Sequence, residues 1–194
     1  MKIVQYPHPS LRHVAKPLTA IDKKVLVYAE QMLELMYEHR GLALAATQVV
    51  LPFRMIVMNV SDDTDKRDPS NAVVAINPMI LERKGSIEGD EGCLSFPGLY
   101  QKIRRSKTVK VQAYDLKGVL IEKSCSDLEA RVWQHEIDHL NGELFIDKMG
   151  PIAKLSSRSA LKAFERDYRR AQERGEIPPE AEIERLLKAL EAEA

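Results

Sequence analysis

One five-residue segment concentrates the chemistry of this chain: His135-Glu136-Ile137-Asp138-His139. Residues four apart lie on one face of a helix, so both imidazoles can address a single ion. Glu136 is one residue further on, about 100° around the axis, and can face the open side of that ion instead of ligating it. Two nitrogen ligands with a carboxylate beside an activated water are what metal-assisted hydrolysis requires. The competing interpretation is a chance pair of surface histidines on an amphipathic helix. The chain has only five histidines, and two of them at this spacing around a glutamate weigh against chance.

A catalytic site of this kind needs a third protein ligand and keeps one position for water. Glu143 and Asp147 lie downstream, where zincin-type peptidases take theirs, but neither sits in a ligand signature. Cys93 lies upstream, in Asp90-Glu91-Gly92-Cys93-Leu94-Ser95-Phe96-Pro97. Gly92 permits close backbone approach there, and a thiolate would bring a soft, negatively charged donor. Taken by itself, Cys93 reads as a buried, inert thiol. The residues alone therefore leave the third ligand open.

The elements that must position these groups follow from periodicity. Asp22 to Arg40 reads as a helix, with Val25, Ala29, Met32, Leu33, Met36 and Tyr37 forming one apolar stripe. Gly41 suits the left-handed position after its last turn. Met55–Met58 and Val73–Ile76 read as short strands, with a polar loop over 61–71 between them. Thr108–Tyr114 alternates with period two and turns through Asp115-Leu116-Lys117-Gly118 into a partner strand at Val119–Lys123. Ser126-Asp127-Leu128-Glu129 has the form of a capping box and opens the helix of the His-Glu-x-x-His segment. Leu128, Val132, Trp133, Ile137 and Leu140 give that helix an apolar face, Trp133 reads as core, and Gly142 stops it. Leu144–Ile146 reads as a last short strand. Lys154–Arg174 is a basic helix, with seven Lys/Arg against three Asp/Glu, and 176–194 an acidic one, with six Glu against two Lys/Arg. The fold class expected is α+β: antiparallel or mixed β-sheets around a central metal-binding helix, with a helical C-terminal extension. Residues 1–150 form the catalytic domain in this reading and 151–194 the extension.

Composition bounds the rest. At 194 residues, with 44% hydrophobic and 30% charged residues, the chain fits one soluble globular domain with an appendage. Its 29 basic residues balance 29 acidic ones, so no global charge points to DNA or an anionic membrane. The apolar runs are too short to span a bilayer. The N-terminus lacks a signal-peptide h-region, and the expected compartment is the cytoplasm. The two cysteines, Cys93 and Cys125, are not expected to pair in such a compartment. Cys125 reads as a small, half-buried hydrophobe.

Three segments resemble, in order and spacing, the signature motifs of the peptide deformylases: Gly41-Leu42-Ala43-Leu44-Ala45-Ala46-Thr47-Gln48, Glu91-Gly92-Cys93-Leu94-Ser95 and Gln134-His135-Glu136-Ile137-Asp138-His139-Leu140-Asn141-Gly142. The opening Pro9-Ser10-Leu11-Arg12 and Pro17 agree, and the resemblance covers about residues 1–150. It implies that Cys93, His135 and His139 hold one divalent ion per chain. That ion is Fe²⁺ physiologically, with Zn²⁺, Ni²⁺ or Co²⁺ possible in purified protein. It implies Glu136 as general acid and base, with the Gln48 amide and the Leu94 N–H holding the formyl oxygen. Substrate would lie along Gly41, Leu42, Ala43 and Gly92, with Arg131 and Val132 at its pocket. The implied reaction removes the N-formyl group from the initiator methionine of nascent proteins and releases formate. The family's first motif usually has glycine where this chain has Ala43. A methyl there bears on pocket shape and leaves ion and base untouched.

Two smaller assignments stay open. Asp138 is either a partner for a ligating imidazole or a surface ion-pair residue, and Arg131 is either a pocket rim or a surface arginine. The basic tail either contacts ribosomal RNA, as C-terminal helices do in some relatives, or packs on the domain or a second subunit; a monomer and a homodimer are both compatible. The rival functions are a zincin-like peptidase using Glu143 or Asp147, and a formyl-peptide or ribosome binder without turnover.

Overall fold

The computed structural model describes residues 1–61 and 68–192. A five-stranded antiparallel sheet runs in the order β1 (Ala43–Ala45), β2 (Met55–Met58), β3 (Val73–Lys84), β6 (Thr108–Tyr114), β7 (Leu120–Ser126). A separate hairpin pairs β4 (Ile87–Gly92) with β5 (Tyr100–Arg105). The described residues also form four α-helices: α1 (Lys23–Glu38), α2 (Asp127–Leu140), α3 (Pro151–Glu173) and α4 (Glu180–Glu191). This is the α+β architecture expected, with both sheets antiparallel. The loop expected over 61–71 falls largely outside the described residues; its end, Pro69–Asn71, is a 3-10 turn capped by Asp68.

Side-chain alternation places the two main helices. Successive strand residues point to opposite faces. Met55 and Val57 of β2 therefore meet Val25, Ala29, Met32 and Met36 of α1. Ile56 and Met58 meet Trp133, Ile137 and Leu140 of α2. A strand covered on both faces has no polar positions, which is why Met55–Met58 reads as an unbroken apolar run. A third cluster joins Phe96, Leu99, Ile103 and Phe145 to Leu161 and Phe164 of α3.

Local signals were met unevenly. Asp22 caps α1, accepting from the Val25 N–H at 3.0 Å. The helix ends in a Schellman pair, Gly41 N–H to Met36 O at 2.8 Å and Arg40 N–H to Tyr37 O at 3.0 Å. The left-handed residue is Arg40 (φ +53°) and not Gly41. Gly41 is small for another reason: a Cβ there would lie 2.6 Å from Leu94 Cδ1. Asp115 forms the expected turn, its side chain accepting the Lys117 and Val119 N–H groups at 2.8 Å, with Gly118 at φ +76°. The capping box at Ser126 does not form. Ser126 stays in the ladder opposite Thr108, the chain turns at Asp127 (φ +50°), and Glu129 bonds Lys123. Gly142 (φ +73°) stops α2 as expected. Phe145–Lys148 is a 3-10 turn rather than a strand, with Asp147 accepting the Leu144 N–H at 2.8 Å.

α3 and α4 fold back on the body. Phe164 packs edge-on to Phe96 at 5.9 Å, Tyr168 lies edge-on to His8, Ile183 and Leu187 are buried, and Glu191 bonds His13 at 2.8 Å. No described helix is long and apolar enough to cross a membrane. Cys125 is fully buried, and burial pushes its thiol up to about 12, which leaves it inert at neutral pH.

Candidate metal centre

Three elements converge on one point. α2 presents His135, Glu136 and His139; the residue after β4 is Cys93; and the 3-10 turn Ala46–Val49 carries Gln48. His139 Nε2 lies 3.3 Å from Cys93 Sγ and 3.2 Å from His135 Nε2. The three donor atoms all fall within 4.8 Å of one another, and theirs is the one such group among the described residues. Glu143 and Asp147 are turned elsewhere: Glu143 takes Lys148 at 2.6 Å and Asp147 is bound by Arg12. That geometry removes the basis of the peptidase alternative.

The donor set fits a divalent transition ion. Two facing ring nitrogens can share at most one proton between them, and a thiol sulfur stands beside both. An S,N,N set of this kind suits Fe²⁺ or Zn²⁺ and leaves a fourth position open. Burial and the neighbouring His135 hold His139 well below its ordinary range, hence neutral and able to ligate. Burial opposes a charged His135, but Cys93 and Glu91 outweigh it and hold the ring toward its charged form. Two buried polar atoms next to this point, Glu136 Oε2 and His139 Nδ1, have no protein partner among the described residues. Burial lifts the Glu136 carboxyl to about 7, which poises it for proton transfer at neutral pH.

Glu91 organises the layer behind. Its carboxylate takes His135 Nδ1 at 2.7 Å, Arg105 Nε at 3.1 Å and an Arg131 terminal nitrogen at 2.9 Å. This bond leaves His135 Nε2 as the nitrogen aimed at Cys93 and His139. His135 and Arg105 hold the Glu91 carboxyl far below the usual range despite its burial. Asp138 is buried and bound to Arg105, with Lys148 at 3.3 Å, so it serves this network rather than an exposed ion pair. Arg131 is buried and donates to Glu91 and to the Ile103 carbonyl, so it is not a surface arginine. Neither Glu91 nor Arg105 was assigned a role from sequence. Glu91 could have been found as the residue two before the thiol; Arg105, an arginine inside a polar strand, gives no such signal.

The remaining residues surround the donor triad. Gln48 is buried; its Oε1 accepts the Ala45 N–H at 2.9 Å, which turns Nε2 toward Ser95 Oγ (3.1 Å) and Cys93 Sγ (3.4 Å). The Leu94 N–H has no partner among the described residues. A Cβ on Gly92 would meet the ring of Tyr100 at 2.4 Å, so a larger residue there would require that exposed side chain to move. Ala43 is an ordinary strand residue whose methyl packs in the same apolar cluster as Leu42 and Val132. The methyl is accommodated without left-handed backbone.

Fold and site together define an α+β hydrolase-type centre: a His-Glu-x-x-His helix completed by a cysteine from a strand hairpin. The polypeptide deformylase family model matches residues 1–155. The peptide deformylase of Rhodopirellula baltica is 43% identical over 183 residues, covering 94% of this chain and 90% of its own length. A solved Plasmodium falciparum peptide deformylase superposes with a TM-score of 0.83 at 40% identity, covering 87% of this chain and 97% of that one. Arabidopsis thaliana peptide deformylase 1B superposes with a TM-score of 0.82 at 36% identity, covering 92% and 96%. This chain belongs to the polypeptide deformylase family and is an enzyme of that family.

Proposed function

We propose that this enzyme removes the N-formyl group from the N-terminal methionine of nascent peptides and releases formate. The observation that carries this reading is the convergence of Cys93 Sγ, His135 Nε2 and His139 Nε2 beside a Glu136 carboxylate with a free oxygen. Those three side chains would hold the ion, which we take to be Fe²⁺; once bound, it supplies Lewis acidity toward a water and the formyl carbonyl.

The protein groups do the rest. Glu136 accepts a proton from the attacking water and returns it to the leaving amine. The Gln48 amide and the Leu94 N–H meet the oxygen on which charge develops, and one such donor is typically worth about 3 kcal/mol. The β1 segment with Gly41 and Leu42 pairs with the backbone of an extended peptide. Leu42, Ala43 and Val132 line the methionine side chain. Catalysis resides in residues 1–150 and operates in the cytoplasm. The exposed cations Lys154, Arg158, Lys162 and Arg166 share one face of α3 at four-residue spacing, which supports the ribosome as a further partner. Reversing these four charges should lower ribosome co-sedimentation without lowering peptide turnover.

Formate release from formyl-Met-Ala-Ser, assayed anaerobically with Fe²⁺ or Ni²⁺, tests the main proposal. No release by protein with stoichiometric metal would leave a binder without turnover as the surviving reading.

A further inference from the structure

A second cavity, of about 310 Å³, opens between the β3–β4 turn, the end of β5 and the last turns of α2; none of Cys93, His135, Glu136 and His139 lines it, although Arg105 and Asp138 of the network behind them do. Four cationic side chains line it: Arg83, Arg104, Arg105 and Lys148. Asp138 is the one carboxylate facing in. The other carboxylates that meet these cations lie outside the lining: Glu91 against Arg105, Glu88 at 3.8 Å from Arg104, and Glu143 at 2.6 Å from Lys148.

Donors exceed acceptors here. The Arg83 guanidinium has no partner among the described residues. A guanidinium carries five N–H donors. Arg105 directs three bonds to Glu91 and Asp138, and its other two donors have no described partner. Lys148 places its ammonium on Glu143 and Asp138, one donor short of its three. The Ser86 and Ser106 hydroxyls complete the wall. Gln134 is committed to the Ser106 and Ala130 backbone, so its amide adds no acceptor. A cavity of this size and polarity, with forked donors on a fixed strand and one of them buried, suits an oxyanion and not an apolar ligand.

We propose that this cavity binds a phosphate-class oxyanion. Free phosphate or pyrophosphate and the backbone phosphate of RNA present the same chemistry, and the experiment separates them. The zinc-loaded, ¹⁵N-labelled full-length chain is titrated with inorganic phosphate and pyrophosphate at ionic strength held constant with chloride. Saturable shifts are expected at the amides of Gly85, Ser86 and Ser106, with Leu94 unmoved. The double variant Arg83→Ala/Arg104→Ala, which alters two exposed side chains, should weaken binding at least tenfold with an unchanged melting temperature. A short single-stranded RNA that displaces pyrophosphate assigns the site to backbone phosphate; one that does not assigns it to the free anion. Three results overturn the proposal: no saturation beyond the chloride control, equal affinity in the double variant, or shifts confined to Cys93 and Leu94.

Discussion

α1 and α2 enclose the same sheet from opposite sides and are built on different principles. The buried residues of α1 are all apolar: Val25, Ala29, Met32 and Met36. Those of α2 include Arg131, Gln134, His135, Glu136, Asp138 and His139. The buried face of α1 is held by apolar area, at roughly 25 cal/mol per Å² of apolar surface removed from water. α2 buries charge, which is costly unless every charge meets a partner. Glu91, Arg105 and the Gln134 backbone bonds supply most of those partners. They run out at Glu136 Oε2, His139 Nδ1 and Trp133 Nε1. The first two lie where the reaction is proposed to occur and the third in the core beneath α2; among the described residues none lies along α1.

That contrast can be tested by mutation, beginning with its sharpest edge. Glu136→Gln should keep the metal and lower kcat by roughly 10²–10⁴, whereas Cys93→Ala should lose both metal and turnover. Metal content and formate release, measured on the same samples, distinguish the two. A Glu136→Gln enzyme with near-native turnover would mean that the buried carboxylate is structural.

Glu91→Gln comes next, because it leaves Arg105 and Arg131 sharing an uncharged partner. A loss of about 3–5 kcal/mol is expected, read as a melting temperature lower by roughly 10 °C for a chain of this size. Metal affinity should fall about 10–100-fold as His135 loses its anchor. On the other side of the sheet, Met32→Ala should cost about 2–5 kcal/mol through the cavity it leaves. Its kcat/KM per folded molecule should stay native; a large drop would show that α1 shapes the site as well as the core.

A third buried histidine refines the comparison. His8 is buried beside Tyr168 with no acidic partner, and burial lowers its pKa to about 4. The unfolded chain takes up this proton near 6.5 and the folded chain only near 4. Its contribution is therefore complete above pH 6.5 and is lost as pH falls from 6.5 to 4, by up to about 3 kcal/mol. Unfolding titrations of wild type and His8→Asn should diverge over that window. Parallel curves would show that His8 is solvated in the folded protein.

Much of this was legible in the residues. The His-Glu-x-x-His spacing, the α1 stripe and the Asp115–Gly118 turn are local, and local periodicity survives folding unless tertiary contacts oppose it. The failures share a cause. At Ser126 a capping signal lost to ladder pairing with Thr108, and the left-handed residue after α1 is Arg40, one position before Gly41, which lies instead against the Leu94 side chain. β5 gave no clear strand pattern because a buried arginine occupies a position where alternation calls for an apolar residue.

The sequence by itself determined the chemistry: which side chains can hold an ion, which can move a proton, and the family whose motifs they match. Tertiary structure alone decided which of those groups meet. Cys93 and His139 are 46 residues apart, and Glu91 and His135 are 44 apart. No local pattern encodes such contacts. They exist because the β4–β5 hairpin is laid against α2, and because buried Arg105 and Arg131 must find carboxylates there.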